Sequence, residues 1–392
     1  SPMNNLTGIA GYEVISQRCK SDLDELEAVL EREPERCPYC AAPGPRSKGR
    51  YLRKVRHRSG YVRSTFLLVH TRRFWCWRCK RSFLPTLPGI RPYRQSSELF
   101  RKEVHQRHED GICASTLAKR ERIGQATVER IYHQHTELEV RKRSNRDCPR
   151  MLGIDEHTLG KKNRFCTTFC DLGNNRVFEV RPGRSEKELS GFLASLPGRE
   201  KVEVVCIDLS QSYRKLVRRW FPNARIVADR FHAVRALAHH FTGLCREIAP
   251  EITRNSGLLA ILRTRPGRLS QKQIRRRQEL FDKHPTLEPL YLKRWQIHSL
   301  LCQKSCTAKK CRSNAKELYR HIEELQQQGF AQLKTLAKTL QQWIEPIATM
   351  WRFTKNNAIT EGFHRKMKLI QRRAFGFRNF ENYRLRVLAQ CQ

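Results

Sequence analysis

The sequence predicts an α/β core with an all-α insertion, preceded by a small β-rich cysteine module and a pair of short helices. Three observations carry that expectation. Two C-x-x-C pairs, Cys37-Pro-Tyr-Cys40 and Cys76-Trp-Arg-Cys79, flank a run of short extended segments. Apolar runs of strand character open at Met151 and at Val202. Between residues 250 and 349 strand signals nearly vanish, and Lys, Arg, Gln and Leu dominate.

The elements follow in order. Residues 1–34 predict an N-terminal helical segment, because Leu23, Leu26 and Leu30 fall at helical spacing in the acidic stretch Ser21 to Glu33. Residues 35–92 predict a zinc-binding β module, with a strand over Tyr61 to Val69 after the turn at Ser59-Gly60. Pro85, Pro88 and Pro92 mark its exit. Residues 93–145 predict a helix-turn-helix domain ending in a basic linker. Its signature is Ser115 to Tyr132, two short helices with Ala118, Val128 and Ile131 on the packing face. Arg122 stands where glycine is often found, which moves the expected turn to Gly124. The second helix then offers Gln125, Thr127 and Arg130 to a major groove. A helical hairpin without any DNA role shares the pattern.

At Met151 the period changes. Met151 to Ile154 is a short apolar run, and Arg164 to Val180 reads as two strands around the turn Asp171 to Asn175. Ser185 and Glu188 form a capping box ahead of Leu189, Leu193 and Leu196. Val202 to Ile207 is almost wholly apolar, as a strand covered on both faces would be. A helix to Trp220, a strand over Ala224 to Ala228 and a helix from Phe231 complete residues 146–249. Three strands followed by alternating helix and strand is the order of a ribonuclease H-like domain, though other α/β folds share the count. Residues 250–349 are the helical insertion. Residues 350–392 return to the core as two helices, one after Asn357 and one after Asn379.

Composition bounds the partner. Lys and Arg outnumber Asp and Glu 77 to 38, a formal charge of +39 spread along 392 residues. That field points to a polyanion, since each neutralised phosphate releases condensed counterions. The cations do not gather beside an apolar anchor, and there is no run of 18 apolar residues and no signal-peptide core, so no membrane partner is expected. The expected location is cytoplasmic and nucleoid-associated. Fifteen cysteines in such a chain suggest reduced thiols and metal ligation over disulfides.

Two constellations carry chemistry. The four knuckle cysteines, Cys37, Cys40, Cys76 and Cys79, suit a closed tetrahedral Zn²⁺ site whose role is structural. A redox dithiol would call for one C-x-x-C near a βαβ unit. A second group, His298, Cys302, Cys306 and Cys311, reads as small apolar packing and is not assigned a metal. The other constellation is acidic. Asp155 ends the first core strand and Asp208 ends the strand Val202 to Ile207, at the sheet edge where ligands bind. Carboxylates placed there repel unless a cation joins them, and oxygen ligands suit Mg²⁺ or Mn²⁺. Glu361 is the expected third ligand, on a late helix whose apolar stripe is Ile359, Phe363, Met367 and Ile370 and whose other face carries Arg365 and Lys368. Asp229 and His232 follow a further strand end. They either orient the metal shell and scissile phosphate or, for Asp229, cap a helix.

Gly153-Ile-Asp-Glu-His157, Ile207-Asp-Leu-Ser210, Ala228-Asp-Arg-Phe-His-Ala-Val234 and Asn357-Ala-Ile-Thr-Glu-Gly-Phe-His364 together resemble the ISL3 family of bacterial insertion-sequence transposases. The tail from Arg372 to Arg386 resembles it too. The resemblance implies a DDE-type DNA transposase with a ribonuclease H-like core and Asp155, Asp208 and Glu361 as its metal triad. It also implies terminal inverted repeats as the recognised DNA. Asp229 and His232 resemble the aspartate-x-x-histidine element of related enzymes. On this reading two ions sit at the site, and Lys161, Lys162, Arg365, Lys366 and Lys368 touch phosphate. Two transposon ends call for a homodimer on DNA. The alternatives are a DNA-binding regulator without catalysis and a structure-selective nuclease.

Overall fold

The computed structural model describes residues 6–60, 63–143, 147–159, 164–353, 358–374, 376–377 and 379–391, by backbone alone at 60, 143 and 358–361. They form two compact units, Ser1–Glu139 and Val140–Gln392.

The N-terminal unit holds one sheet of β1 (Tyr12–Cys19), β2 (Leu23–Leu30), β3 (Arg46–Gly60), β4 (Arg63–Trp75) and β5 (Ser82–Phe83), ordered β1-β2-β4-β3 with β5 added to β4. The stretch Ser21 to Glu33 is therefore strand, and the helical segment predicted for residues 1–34 is corrected. The burial period over β2 is two, running Asp24, Leu26, Ala28, and Leu23 lies off that face. Between them, Glu25 pairs with Lys20 and Lys54, and Glu27 pairs with Arg18 and His70. Cross-strand charge pairs of this kind favour an acidic strand inside a basic sheet. One face closes over Ile9, Tyr12, Leu26, Ala28, Val55, Leu67, Val69 and Ile90.

Three helices follow: α1 (Glu98–Glu109), α2 (Ala114–Glu121) and α3 (Gln125–Arg143). They pack through Phe100, Val104, Leu117, Val128 and Ile131. The turn between α2 and α3 covers residues 122–124, where the sequence places it, and Arg122 takes a left-handed conformation (φ 53°). The reason lies in how α2 ends. The Arg122 amide returns to the Lys119 carbonyl and the Ile123 amide to the Ala118 carbonyl, and Ile123 packs beside Ala118. Those two bonds satisfy carbonyls the helix would otherwise orphan, which offsets the strain at Arg122.

The second unit opens with β6 (Met151–Leu159), β7 (Arg164–Asp171), β8 (Arg176–Pro182) and α4 (Glu186–Ser195), the last entered through the Ser185–Glu188 capping box. Then come β9 (Val204–Ile207), α5 (Gln211–Trp220), β10 (Arg225–Ala228) and α6 (Arg230–Ile248). The sheet order is β10-β9-β6-β7-β8. β6, β9 and β10 run parallel, and β7 is antiparallel to both its neighbours. All four residues of β9 are buried, as their apolar run requires.

Helices α7 (Glu251–Arg254), α8 (Ser256–Arg263), α9 (Gln271–Lys283), α10 (Leu287–Leu301), α11 (Ala308–Gln327), α12 (Ala331–Gln342) and α13 (Ile344–Arg352) come next, with no strand among the described residues. α10 and α12 pack on α6, and α13 packs on β10, burying Trp343 and Trp351. Two last helices, α14 (Ala358–Arg373) and α15 (Phe380–Gln390), close the sheet. α14 buries Met367 and Ile370 against it. α15 lies on β8, where Arg384 pairs with Glu179 at 2.6 Å and the Val177 amide bonds the Cys391 carbonyl at 2.8 Å. No described helix is long and apolar enough to cross a membrane.

Candidate functional site

Register decides which side chains meet at the sheet edge. Gly153 lies opposite Cys206 in the β6–β9 pair, so two residues on, Asp155 is level with Asp208. Ala228 lies opposite Ile207 in the β9–β10 pair, so one residue on, Asp229 is also level with Asp208. Parallel strands sit about 4.8 Å apart, so three aspartates stand in a row at the carboxyl ends of β9 and β10. Asp155 does not end its own strand as expected, because β6 runs on to Leu159 paired with β7.

Their environment is hostile to charge. Burial raises Asp155 to about 7; an amide bond from Glu156 at 2.8 Å opposes the rise, and the negative fields of Asp229 and Asp208 add to it. Burial likewise raises Asp208 to about 6, with Glu156 and Asp229 adding and an amide bond from Ser210 opposing. Asp208 Oδ1 is buried with no hydrogen-bond partner among the described residues. Asp229 is 2% exposed and does cap α6, accepting from the Phe231 amide at 3.2 Å. The same carboxylate lies 3.6 Å from His232 Nε2. Capping and membership of the acidic row are thus compatible.

A third layer comes from α14, which carries Glu361 and, three residues on, His364. The Glu361 side chain lies outside the described residues. His364 Nδ1 is 3.6 Å from Asp155 Oδ2, and its Nε2 is 3.4 Å from Thr168 Oγ1. Thr168 is opposite Asp155 on β7 and also reaches His157 Nδ1 at 3.0 Å. His157 Nε2 meets the Tyr383 hydroxyl at 2.8 Å, and burial holds His157 down at about 3, so it is neutral. Tyr383, His157, Thr168 and His364 thus form a chain of polar contacts from α15 to Asp155.

In the N-terminal unit the four knuckle thiols converge. Cys37 and Cys79 sulfurs are 3.6 Å apart, as are those of Cys40 and Cys76, and all four lie within 4.8 Å of one another. The two loops are built alike: the residue after each second cysteine, Ala41 or Lys80, takes a left-handed φ of 55° or 53°. Backbone donors lower Cys76 to about 7, first the Cys79 amide. The Arg81 amide draws Cys79 the same way, but burial and its cysteine neighbours push it up to about 11. Four sulfurs converging this closely fit the tetrahedral ligand set of a Zn²⁺ ion. Among the described residues no other three Cys, His, Asp or Glu ligand atoms converge this tightly, and His298, Cys302, Cys306 and Cys311 do not.

A transposase family model, that of the ISL3 type, matches residues 152–387, which spans both aspartate strands and α14. The chain belongs to the ISL3 family of transposases. It is also 25% identical over 404 aligned positions to the transposase for insertion sequence element IS1001 of Bordetella parapertussis, covering 99% of this chain and 97% of that one. The protein is accordingly a transposase, an enzyme that cuts and joins DNA.

The transposase's other sequence-predicted contacts fall in three groups. Gln125 and Arg130 are exposed on α3 and Thr127 is half-buried. Arg365, Lys366 and Lys368 are exposed on α14, although Lys366 donates to the Gln390 carbonyl. Lys161 and Lys162 lie outside the described residues. Sequence reasoning assigned no role to His157, Thr168, His364 or Tyr383. Two signals were available: His157 sits two residues beyond Asp155 on the same strand face, and His364 one helical turn beyond Glu361.

Proposed function

We propose that the transposase is a DDE-type enzyme with a ribonuclease H-like core, acting on the terminal inverted repeats of its element by strand cleavage and strand transfer. The observation that carries this is the level row of Asp155, Asp208 and Asp229, with the orphaned Asp208 Oδ1 buried among raised carboxylates. The strand order, with its single antiparallel strand β7, supports the ribonuclease H-like reading. Oxygen donors this poorly neutralised fit Mg²⁺ or Mn²⁺, two per site, held by Asp155, Asp208 and Glu361. When bound, those ions lower the pKa of the attacking water or 3′-hydroxyl and stabilise the leaving oxygen.

The chain's own groups do the rest. Asp229 fixes the start of α6 and sets the orientation of His232 beside the row. His364 is held by Thr168, so α14 meets β6 in one register and Glu361 arrives with it. Arg365 and Lys368 flank that helix as phosphate contacts. In-line displacement needs no serine or tyrosine nucleophile. The four-thiol site holds structural Zn²⁺, and α2 with α3 serves as the helix-turn-helix, Gln125, Thr127 and Arg130 facing the groove. Two ends must be processed, so the working form is a homodimer on DNA.

The test is cleavage of linear DNA carrying the repeats that flank the gene, with and without Mg²⁺. Nicks at the repeat boundary and joined products are expected from the wild type. Asp155→Asn and Glu361→Gln should bind the same DNA and leave it uncut. Tight binding without cleavage by the wild type, in Mg²⁺ or Mn²⁺, would sink the catalytic reading.

A further inference from the structure

The N-terminal unit contains a cleft of about 500 Å³ that the sites above do not use. One face of β3 and β4 carries Val55 opposite Leu67 in the core, then Arg53 opposite Val69, Tyr51 opposite Thr71, and Arg73 beyond. The apolar core ends at Val69. Past it the face is polar and aromatic, and residues 84–87 and 90–93 line the facing wall. Tyr39, from the first cysteine loop, joins the lining.

Three features of this cleft point to one ligand. Its charged lining is Arg53, Arg73 and Arg91, with no acidic side chain. Arg53 is braced by the Arg94 carbonyl and Arg91 lies 3.5 Å from Glu98, while Arg73 has no acid within 4.0 Å among the described residues. Three tyrosines, Tyr39, Tyr51 and Tyr93, offer ring faces or edges. Tyr93 is the most unusual: it is 97% exposed and holds a left-handed backbone, φ 62°. A bulky residue seldom adopts that conformation, and no burial of the ring compensates for it. Neither packing nor backbone preference explains a tyrosine there.

Aromatic faces beside arginines form a stacking platform for single-stranded nucleic acid, since every base has a π-face and every nucleotide a phosphate. In a duplex the base faces are hidden by their neighbours, so only an unpaired nucleotide can use such a platform. We propose that this cleft binds an unpaired nucleotide of the DNA, with its base stacked on Tyr93 and its phosphates held by Arg73 and Arg53. The proposal rests on the reading of the chain as one that handles DNA ends, and adds that the ends are held partly unpaired.

The full zinc-loaded chain would be titrated with two duplexes of the flanking repeat, one fully paired and one with a short unpaired tract containing 2-aminopurine. Wild type is expected to bind the unpaired form more tightly by roughly 5- to 150-fold, the range of one base–aromatic stack, and to quench the probe. Tyr93→Gly relieves the backbone, so it should fold at least as well, yet lose the preference and the quench while keeping its affinity for paired DNA. Tyr93→Trp should retain both. Equal binding of the two duplexes by the wild type, or an undiminished preference in Tyr93→Gly, would overturn the cleft proposal alone. Failure of the wild type to bind either duplex would overturn the DNA reading and this proposal with it.

Discussion

Asp155 is buried before anything neutralises it, and that has a sign. Its folded value, about 7, lies well above the ordinary carboxyl range near 4, so the folded state holds the proton more tightly than the unfolded one. The contribution of Asp155 and Asp208 is then fully present below about pH 4 and is lost as pH climbs through 6 to 7, where they ionise in place, while buried His157, held low, acts in the opposite sense. In buffer without divalent cations, the stability of Asp155→Asn relative to the wild type, read by denaturation, should therefore rise between pH 4.5 and 8, reaching on the order of 2–4 kcal/mol at pH 8. A difference that stays constant across that range would contradict it. The aspartates were legible in the sequence because each ends an apolar run, and that pattern requires no partner. The chain from Tyr383 through His157 and Thr168 to His364 was not, because its members lie up to 226 residues apart and meet only through packing.

At the scale of elements, the cysteine loops and the sheet they end have separate cores. Phe74, Phe83 and Ala42 pack around the thiols, whereas Leu26, Ala28, Val55 and Leu67 belong to the neighbouring cluster. Removal of the proposed zinc should therefore act locally. A chelator, or Cys76→Ser, is expected to abolish amide protection at Cys37, Ala41 and Cys76, whose backbone bonds close the two loops, while Leu67 and Val69 stay protected. Zinc release would be read with a colorimetric dye and protection by hydrogen exchange; uniform loss across the sheet would refute the separation. The paired C-x-x-C spacing makes this module legible in the sequence. β2 was misread because Leu23, Leu26 and Leu30 mimic a helix, while its acidic residues face Arg18, Lys20, Lys54 and His70 on β1, β3, β4 and the β1–β2 turn. The α2–α3 turn, at residues 122–124, was legible beside Gly124, but hydrogen bonds to Ala118 and Lys119 make Arg122 its left-handed residue.

For the whole molecule, the division at residues 139 and 140 separates recognition from chemistry on the proposed reading. A fragment ending at Arg143, the last residue of α3, should fold, retain zinc and shift the repeat DNA in a gel without cutting it. Its affinity should drop steeply with salt, as phosphate contacts require. A fragment that folds but ignores the DNA would place recognition in the other unit. The order of elements in the α/β core was legible because apolar runs, caps and prolines punctuate it. How the last two helices close the sheet was not, since β8 and α15 meet across some 200 residues. That closure bears on how the protein is made. A ribosome delivers Asp155, Asp208 and Asp229 long before α14 and α15, and until Cys391 emerges Val177 has no carbonyl there to bond. A chain stopped before α14 would hold the acidic row without the helix that carries Glu361 and His364, and on the proposed reading would be an unarmed transposase.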